Sequence, residues 1–246
     1  MMNDVIKLLQ SHRSIRKFTD KAVDQDTVNA IILSGQAAAT SSNVQATTVI
    51  QVNNVSAREK LVEITGGQQY VAAASTFLVF CADLKRSAQA CDLQGGEFSS
   101  GMTEHFIIAT VDVALFAQNC AIAAESLGLG ICYIGALRNN PAAVSELLEL
   151  PDNVYPVFGM CLGYPDQNPE IKPRLPIKAV LMQNRYDDTQ LAPGITAYDE
   201  HIRAYYRTRT GGTKDSCWSE EMRALVGKES RPHMRSFLES KGFSMK

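Results

Sequence analysis

Two short stretches of this 246-residue chain concentrate the groups that hold a phosphate. His12-Arg13-Ser14-Ile15-Arg16 puts two guanidinium forks, a hydroxyl and an imidazole into five residues. Guanidinium groups match phosphate oxygens in pairs, and a neighbouring hydroxyl adds a further donor. Along an extended segment Ser14 and Arg16 point to the same side. The second stretch is Lys172-Pro173-Arg174-Leu175-Pro176. Alternation sets Lys172 and Arg174 on one side, and the prolines stiffen the segment. A stiff pair of cations loses less conformational entropy on binding than a floppy one. Taken alone, each stretch also reads as a solvated basic turn or loop.

Three further segments could meet a ligand. Thr40-Ser41-Ser42-Asn43, with Gln45, offers small polar side chains that can hydrogen-bond the edge of a planar heterocycle; the alternative is a polar loop ending a helix. In Thr65-Gly66-Gly67-Gln68 the glycines permit positive φ and a close approach to a ligand, or simply a turn. This is not G-x-G-x-x-G and follows a helix, which argues against a dinucleotide-binding βαβ unit. Tyr133-Ile134-Gly135-Ala136 ends a strand in a glycine able to present a bare backbone N–H, or packs as an ordinary strand end. The chain has no G-x-S-x-G, H-E-x-x-H or Walker loop, and its four histidines lack metal-ligand spacing. No catalytic side chain and no metal site is expected. Phosphate donors without a nucleophile, metal or acid–base pair suit an enzyme whose cofactor carries the chemistry.

The elements that must position these residues alternate between helix and strand. Val5, Leu8 and Leu9 line a first helix capped by Asn3, and Val28, Ile31, Ile32 and Gly35 a second after Asp24-Gln25-Asp26. Thr47 to Val52 and Phe77 to Cys81 read as strands, separated by a helix that a Ser56–Glu59 capping box starts and that runs through Ile64. Glu104 to Leu127 is the longest helix, apolar on nearly all sides and so expected to be buried on nearly all sides, as a core helix or a dimer interface. Ile131 to Leu137 reads as a strand, Asn140-Pro141 starts a helix to Leu148, and Val154 to Leu162 is a strand interrupted by Pro156 and Gly159. Helical stretches over Tyr198–Thr208 and Trp218–Leu238 close the chain. The pattern is α+β, a single domain over residues 1–246 with an extension from about residue 195.

A net charge of −2 favours neither nucleic acid nor an anionic membrane. The start, Met1-Met2-Asn3-Asp4, has no basic n-region, so no signal peptide is expected. Asp112, Gln118, Asn119 and Glu125 argue against a membrane span within Phe106–Leu127. Six cysteines without a C-x-x-C pair read as reduced, largely buried thiols of a cytoplasmic protein.

In order, H-R-S-I-R, S-S-x-x-Q, T-G-G-Q, A-A-E-S-L-G-L-G, Y-I-G-x-L-R-N-N, F-G-M-C-L-G-Y-P, K-P-R-L-P and E-S-R-P resemble the FMN-dependent nitroreductase superfamily, in its NADPH nitroreductase and NADPH-flavin reductase branch. The likeness runs essentially the whole chain. It implies an α+β sandwich around a mostly antiparallel sheet, an intertwined homodimer with FMN at its interface, and ping-pong turnover. In that scheme NADPH, with NADH possible, reduces FMN at N5, and a nitro compound, quinone or other flat acceptor follows. By resemblance, His12, Arg13, Ser14 and Arg16 contact the FMN phosphate, ribityl chain and ring edge. Lys172 and Arg174 clamp the phosphate, and Gln68 bonds the ribityl or ring region. Tyr133, Ile134 and Gly135 lie along the flavin with a backbone N–H near N5, while Thr40, Ser42 and Gln45 form the family's polar loop. Arg209 and Lys214 would meet the NADPH 2′-phosphate, and Arg231 the acceptor pocket. Three positions depart from close relatives: Thr40 replaces serine, Ala136 a second glycine, and Asp215 a basic residue of one relative. The readings left open are a flavin reductase supplying reduced FMN to a partner enzyme and a non-catalytic flavin-binding module.

Overall fold

Thr76–Asp83, buried along its whole length, is the strand around which the first part of the chain is built in the computed structural model, which describes residues 2–246. The strands are β1 (Thr47–Gln51), β2 (Thr76–Asp83), β3 (Gly130–Ile134) and β4 (Val154–Gly163). They form one sheet in the order β1-β2-β4-β3, every neighbouring pair antiparallel. β2 and β4 are therefore central, which suits their continuous apolar runs. β4 is not broken at Pro156. Phe80 faces Phe158 and Cys81 faces Pro156, so Val157 is left as a bulge beside the proline that cannot donate to a ladder.

The chain separates into two compact units: residues up to Asn168 together with His233–Lys246, and Pro169–Pro232. In the first, α1 (Asp4–Gln10), α2 (Gln25–Gln36), α3 (Val55–Ile64), α4 (Tyr70–Ala73), α5 (Lys85–Leu93), α6 (Thr103–Ser126) and α7 (Pro141–Leu147) surround the sheet. In the second, α8 (Leu191–Arg209) and α9 (Trp218–Val226) pack through Tyr198, Ile202, Tyr205, Tyr206 and Trp218. The chain then returns to the first unit as α10 (Met234–Ser240). Asn3, Asp24 and Asn140 cap α1, α2 and α7 through their side chains. Asn54 caps α3 by accepting from Ala57 N–H, so the expected Ser56–Glu59 box does not form; Ser56 instead donates to Asn54.

α6 is long and apolar enough to cross a membrane, yet Ala109, Val113, Ala117, Cys120, Ala121 and Ala124 are buried in the main core. Within the single chain its burial is one-sided: Ile107, Val111 and Leu115, spaced i, i+4 and i+8, are exposed. The strand expected over 131–137 stops at Ile134, where the chain turns through a 3-10 segment from Gly135 to Asn139. The helix expected over 218–238 ends at Val226. Gly227, a left-handed Arg231 and Pro232 then intervene before α10.

Candidate functional site

The H-R-S-I-R segment lies along the open edge of β3. Ile15 N–H donates to the Ile131 carbonyl at 2.8 Å, and Thr19 N–H to the Tyr164 carbonyl at 2.9 Å. Ile15 seats against Gly130, where an added Cβ would sit 2.5 Å from Ile15 Cγ1, so only glycine lets the segment come this close. With Ile15 turned into the core, Ser14 and Arg16 face the other way, as alternation requires. Both act on the Cys132 thiol: burial raises its pKa, and the Arg16 charge and Ser14 hydroxyl oppose the shift. His12 donates from Nδ1 to Glu125 Oε1 at 2.6 Å, which fixes the imidazole on α6. Arg13, Glu125 and Gln167 line a cavity of about 330 Å³.

The T-G-G-Q turn reaches the same region. Gly66 and Gly67 have φ of 74° and 83°, the left-handed conformations the sequence suggests. Shortly after it, burial raises the pKa of the Tyr70 phenol, and Arg16 nearby opposes the rise. Arg58 of α3 donates to the Val71 and Ala74 carbonyls and so ties α4, which follows the turn, to α3. Gln68 Oε1 is buried with no hydrogen-bond partner among the described residues. Leaving a buried amide oxygen unsatisfied costs free energy, so Gln68 is able to accept from a ligand donor.

Tyr133 and Ile134 end β3, Tyr133 edge-on to Phe158 with ring centroids 5.2 Å apart. Burial pushes the Tyr133 phenol well above its ordinary pKa, so it stays a neutral hydrogen-bonding group. Gly135 opens the 3-10 turn, and an added Cβ there would lie 3.1 Å from the Arg138 guanidinium. Ala136 lies within this turn without a positive φ, so the backbone does not demand glycine at that position.

The polar loop stands apart in construction. Ser42, Asn43 and Gln45 have φ of 47°, 59° and 54°, and Thr40 and Gln45 line a cavity of about 490 Å³ with Asp112 and Phe116. Two residues that the sequence reading did not assign hold it. Asp112 of α6 accepts from the backbone N–H groups of Ser41 and Ala46, and Arg86 of α5 donates to the carbonyls of Gln45 and Thr47. The signal for Asp112 was its isolation: an acid within an otherwise apolar helical run.

The remaining basic residues belong to the second unit. Lys172 Nζ donates to the Tyr206 hydroxyl at 2.8 Å, whereas Arg174 is exposed and folds back on the Lys172 carbonyl at 2.9 Å. Lys214 sits over the Tyr206 ring, 3.7 Å from its centroid, and pairs with Glu221. Arg209 reaches the Tyr205 hydroxyl at 3.3 Å. Asp215 accepts from both Arg203 and Arg207 at 2.8 Å. Arg231 lies between α9 and α10 with φ of 53°.

The Nitroreductase family matches residues 9–164, and its C-terminal domain matches residues 172–246; the chain belongs to this family. It is 44% identical to the NADPH-flavin oxidoreductase of Vibrio harveyi over 243 residues, covering 99% of each chain. It is 42% identical to the oxygen-insensitive NADPH nitroreductase of Salmonella typhimurium, again over 99% of each. Among solved structures, nitroreductase A of Vibrio parahaemolyticus superposes with a TM-score of 0.92 at 43% identity over the whole of both chains. The NADPH:FMN oxidoreductase of Vibrio harveyi complexed with NAD+ superposes with a TM-score of 0.89 at 43% identity over 98% of each. The α+β fold with an antiparallel sheet agrees with these likenesses.

Proposed function

We propose that the protein is an FMN-dependent NADPH oxidoreductase that delivers electron pairs to nitro compounds, quinones and related flat acceptors. Full-length similarity to a NADPH-flavin oxidoreductase and a NADPH nitroreductase carries this reading. The unpartnered Gln68 Oε1, next to the glycine turn, supports a bound heterocycle or ribityl group.

Bound FMN supplies two-electron redox chemistry. The protein places it. His12, Arg13, Ser14 and Arg16 hold the phosphate and ribityl end from the edge of β3, and Lys172 and Arg174 add charge to the phosphate clamp. Gln68 accepts a hydrogen bond, and Tyr133, Ile134 and Gly135 border the ring. Thr40, Ser42 and Gln45 contact its polar edge. Preorganised donors of this kind favour negative charge on the ring without reorganising during turnover. Arg209 and Lys214 meet the NADPH 2′-phosphate, and Arg231 borders the acceptor. The two compact units work as one FMN-binding domain.

The working form is a cytoplasmic homodimer. The exposed stripe Ile107–Val111–Leu115 on α6, with Val5 and Leu9 exposed on α1, supports an apolar face that a second copy covers. Supply of reduced FMN to a partner enzyme is the alternative use of the same site. Comparing kcat/KM for a nitroaromatic acceptor and for free FMN, with NADPH saturating, tests the assignment. A higher value for the nitroaromatic supports it; a preference for free FMN makes the protein a flavin reductase. No turnover of either leaves a flavin-binding module.

A further inference from the structure

We infer that Asp112 is a positioning residue for the reaction, holding residues 40–47 in the conformation that sets Thr40 and Gln45 on one cavity. The inference rests on the proposed contact between this loop and the flavin. Asp112 lies midway along α6 and is 2% exposed. Its Oδ1 accepts from Ser41 N–H at 3.0 Å and its Oδ2 from Ala46 N–H at 3.4 Å. Between these anchors Ser42, Asn43 and Gln45 all take left-handed backbone angles. None is glycine, and for such residues this conformation is unfavourable and persists only where the surroundings determine it.

Arg86 does the complementary work. Its Nη1 donates to the Gln45 carbonyl at 3.0 Å and the Thr47 carbonyl at 3.4 Å, and its Nη2 to Thr48 Oγ1 at 3.0 Å. Thr48 donates in turn to Asp83, whose carboxylate is 3.6 Å from Arg86. An acid thus takes the loop's amide donors while a base takes its carbonyl acceptors. The polar side chains of Thr40 and Gln45 are left to face the cavity of about 490 Å³. A carboxylate inside an apolar helix is costly to bury unless it is well hydrogen-bonded. The bonds Asp112 makes are to this loop, so its place in α6 is explained by the loop's order and not by the packing of the helix. Its role in this inference runs through the loop backbone, by the two N–H groups it accepts from.

The test uses the full chain. Asp112→Asn keeps the shape of the side chain but turns an amide NH2 toward one of the two N–H groups. Amide hydrogen exchange is followed across residues 40–47 without and with FMN, FMN affinity is measured by fluorescence quenching, and kcat and KM are determined for NADPH and a nitroaromatic. In Asp112→Asn, exchange should rise within 40–47 and stay unchanged in β2 and β4. FMN affinity should fall about tenfold, the loss of one hydrogen bond to a charged group. Asp112→Glu should recover part of it. Arg86→Gln should act in the same direction, and the double variant should lose less than the sum, because both residues brace one loop. Unchanged exchange in 40–47 overturns the inference, as does looser exchange with parental FMN affinity. If the parent protein binds no FMN, the flavin reading fails on its own and takes this inference with it, whatever the exchange pattern.

Discussion

Lys172 donates to the hydroxyl of Tyr206 at 2.8 Å. That phenol also donates to Glu221 Oε2 at 3.0 Å, and Lys214 lies over the same ring while pairing with the same carboxylate. Two lysines proposed to meet different phosphates, one on FMN and one on NADPH, therefore share a tyrosine and an acid. Asp215 plays a similar part for Arg207 and Arg203, whose hydrogen bonds hold its carboxyl below the ordinary range.

In the proposed site these acids compete with the 2′-phosphate for the second unit's cations. Such pairs are partly exposed and individually weak, so a dianionic phosphate can displace them, with its net gain reduced. Glu221→Gln and Asp215→Asn should each raise kcat/KM for NADPH about two- to fivefold. NADH turnover should barely move. Replacing Arg209 and Lys214 together with alanine should lower kcat/KM for NADPH about tenfold, again sparing NADH. Steady-state kinetics with both nucleotides, at low and high salt, reads all three. Parallel loss of NADPH and NADH would mean that the segment covers the site instead of reading the phosphate.

Arg174 is exposed and, among the described residues, bonded only to nearby carbonyls of its own segment, so its charge is available to a phosphate. Arg174→Ala should weaken FMN binding about ten- to a hundredfold, the worth of a charge-assisted hydrogen bond of about 1.5–3 kcal/mol. The preference between NADPH and NADH should not change. Fluorescence titration of the flavin-free protein measures the first and kinetics the second. Equal FMN affinity in the two proteins would make Arg174 a solvated charge.

The chain's chemistry was easier to read than its scaffolding. The T-G-G-Q turn announces left-handed backbone by glycine, and H-R-S-I-R announces its alternation because Ile15 is the single apolar residue among polar ones. Other features depend on contacts distant in sequence. Ser42, Asn43 and Gln45 take glycine-like conformations without being glycine, because Asp112, about 70 residues on, holds them. α5 buries no residue fully, so no run of large core-facing residues marks it in the sequence. The apolarity of α6 was plain, but composition alone did not divide a face packed in the core from a face left on the surface.

That outer face gives the oligomer prediction. Leu115→Glu places a charge in the exposed stripe with Ile107 and Val111, away from the buried face of α6. Sedimentation equilibrium at micromolar concentration should find the parent a dimer and the variant shifted to monomer, with FMN lost as the interface opens. A parent that sediments as a monomer with flavin bound would contradict the proposed assembly.

The most direct test of the account is the visible absorption spectrum of the purified protein under argon, before and after one equivalent of NADPH. A yellow protein, with one non-covalently held FMN per chain, should bleach within seconds and regain its colour when a nitroaromatic or quinone is added. A protein that stays colourless when mixed with FMN, or whose bound flavin NADPH leaves oxidised, would contradict it.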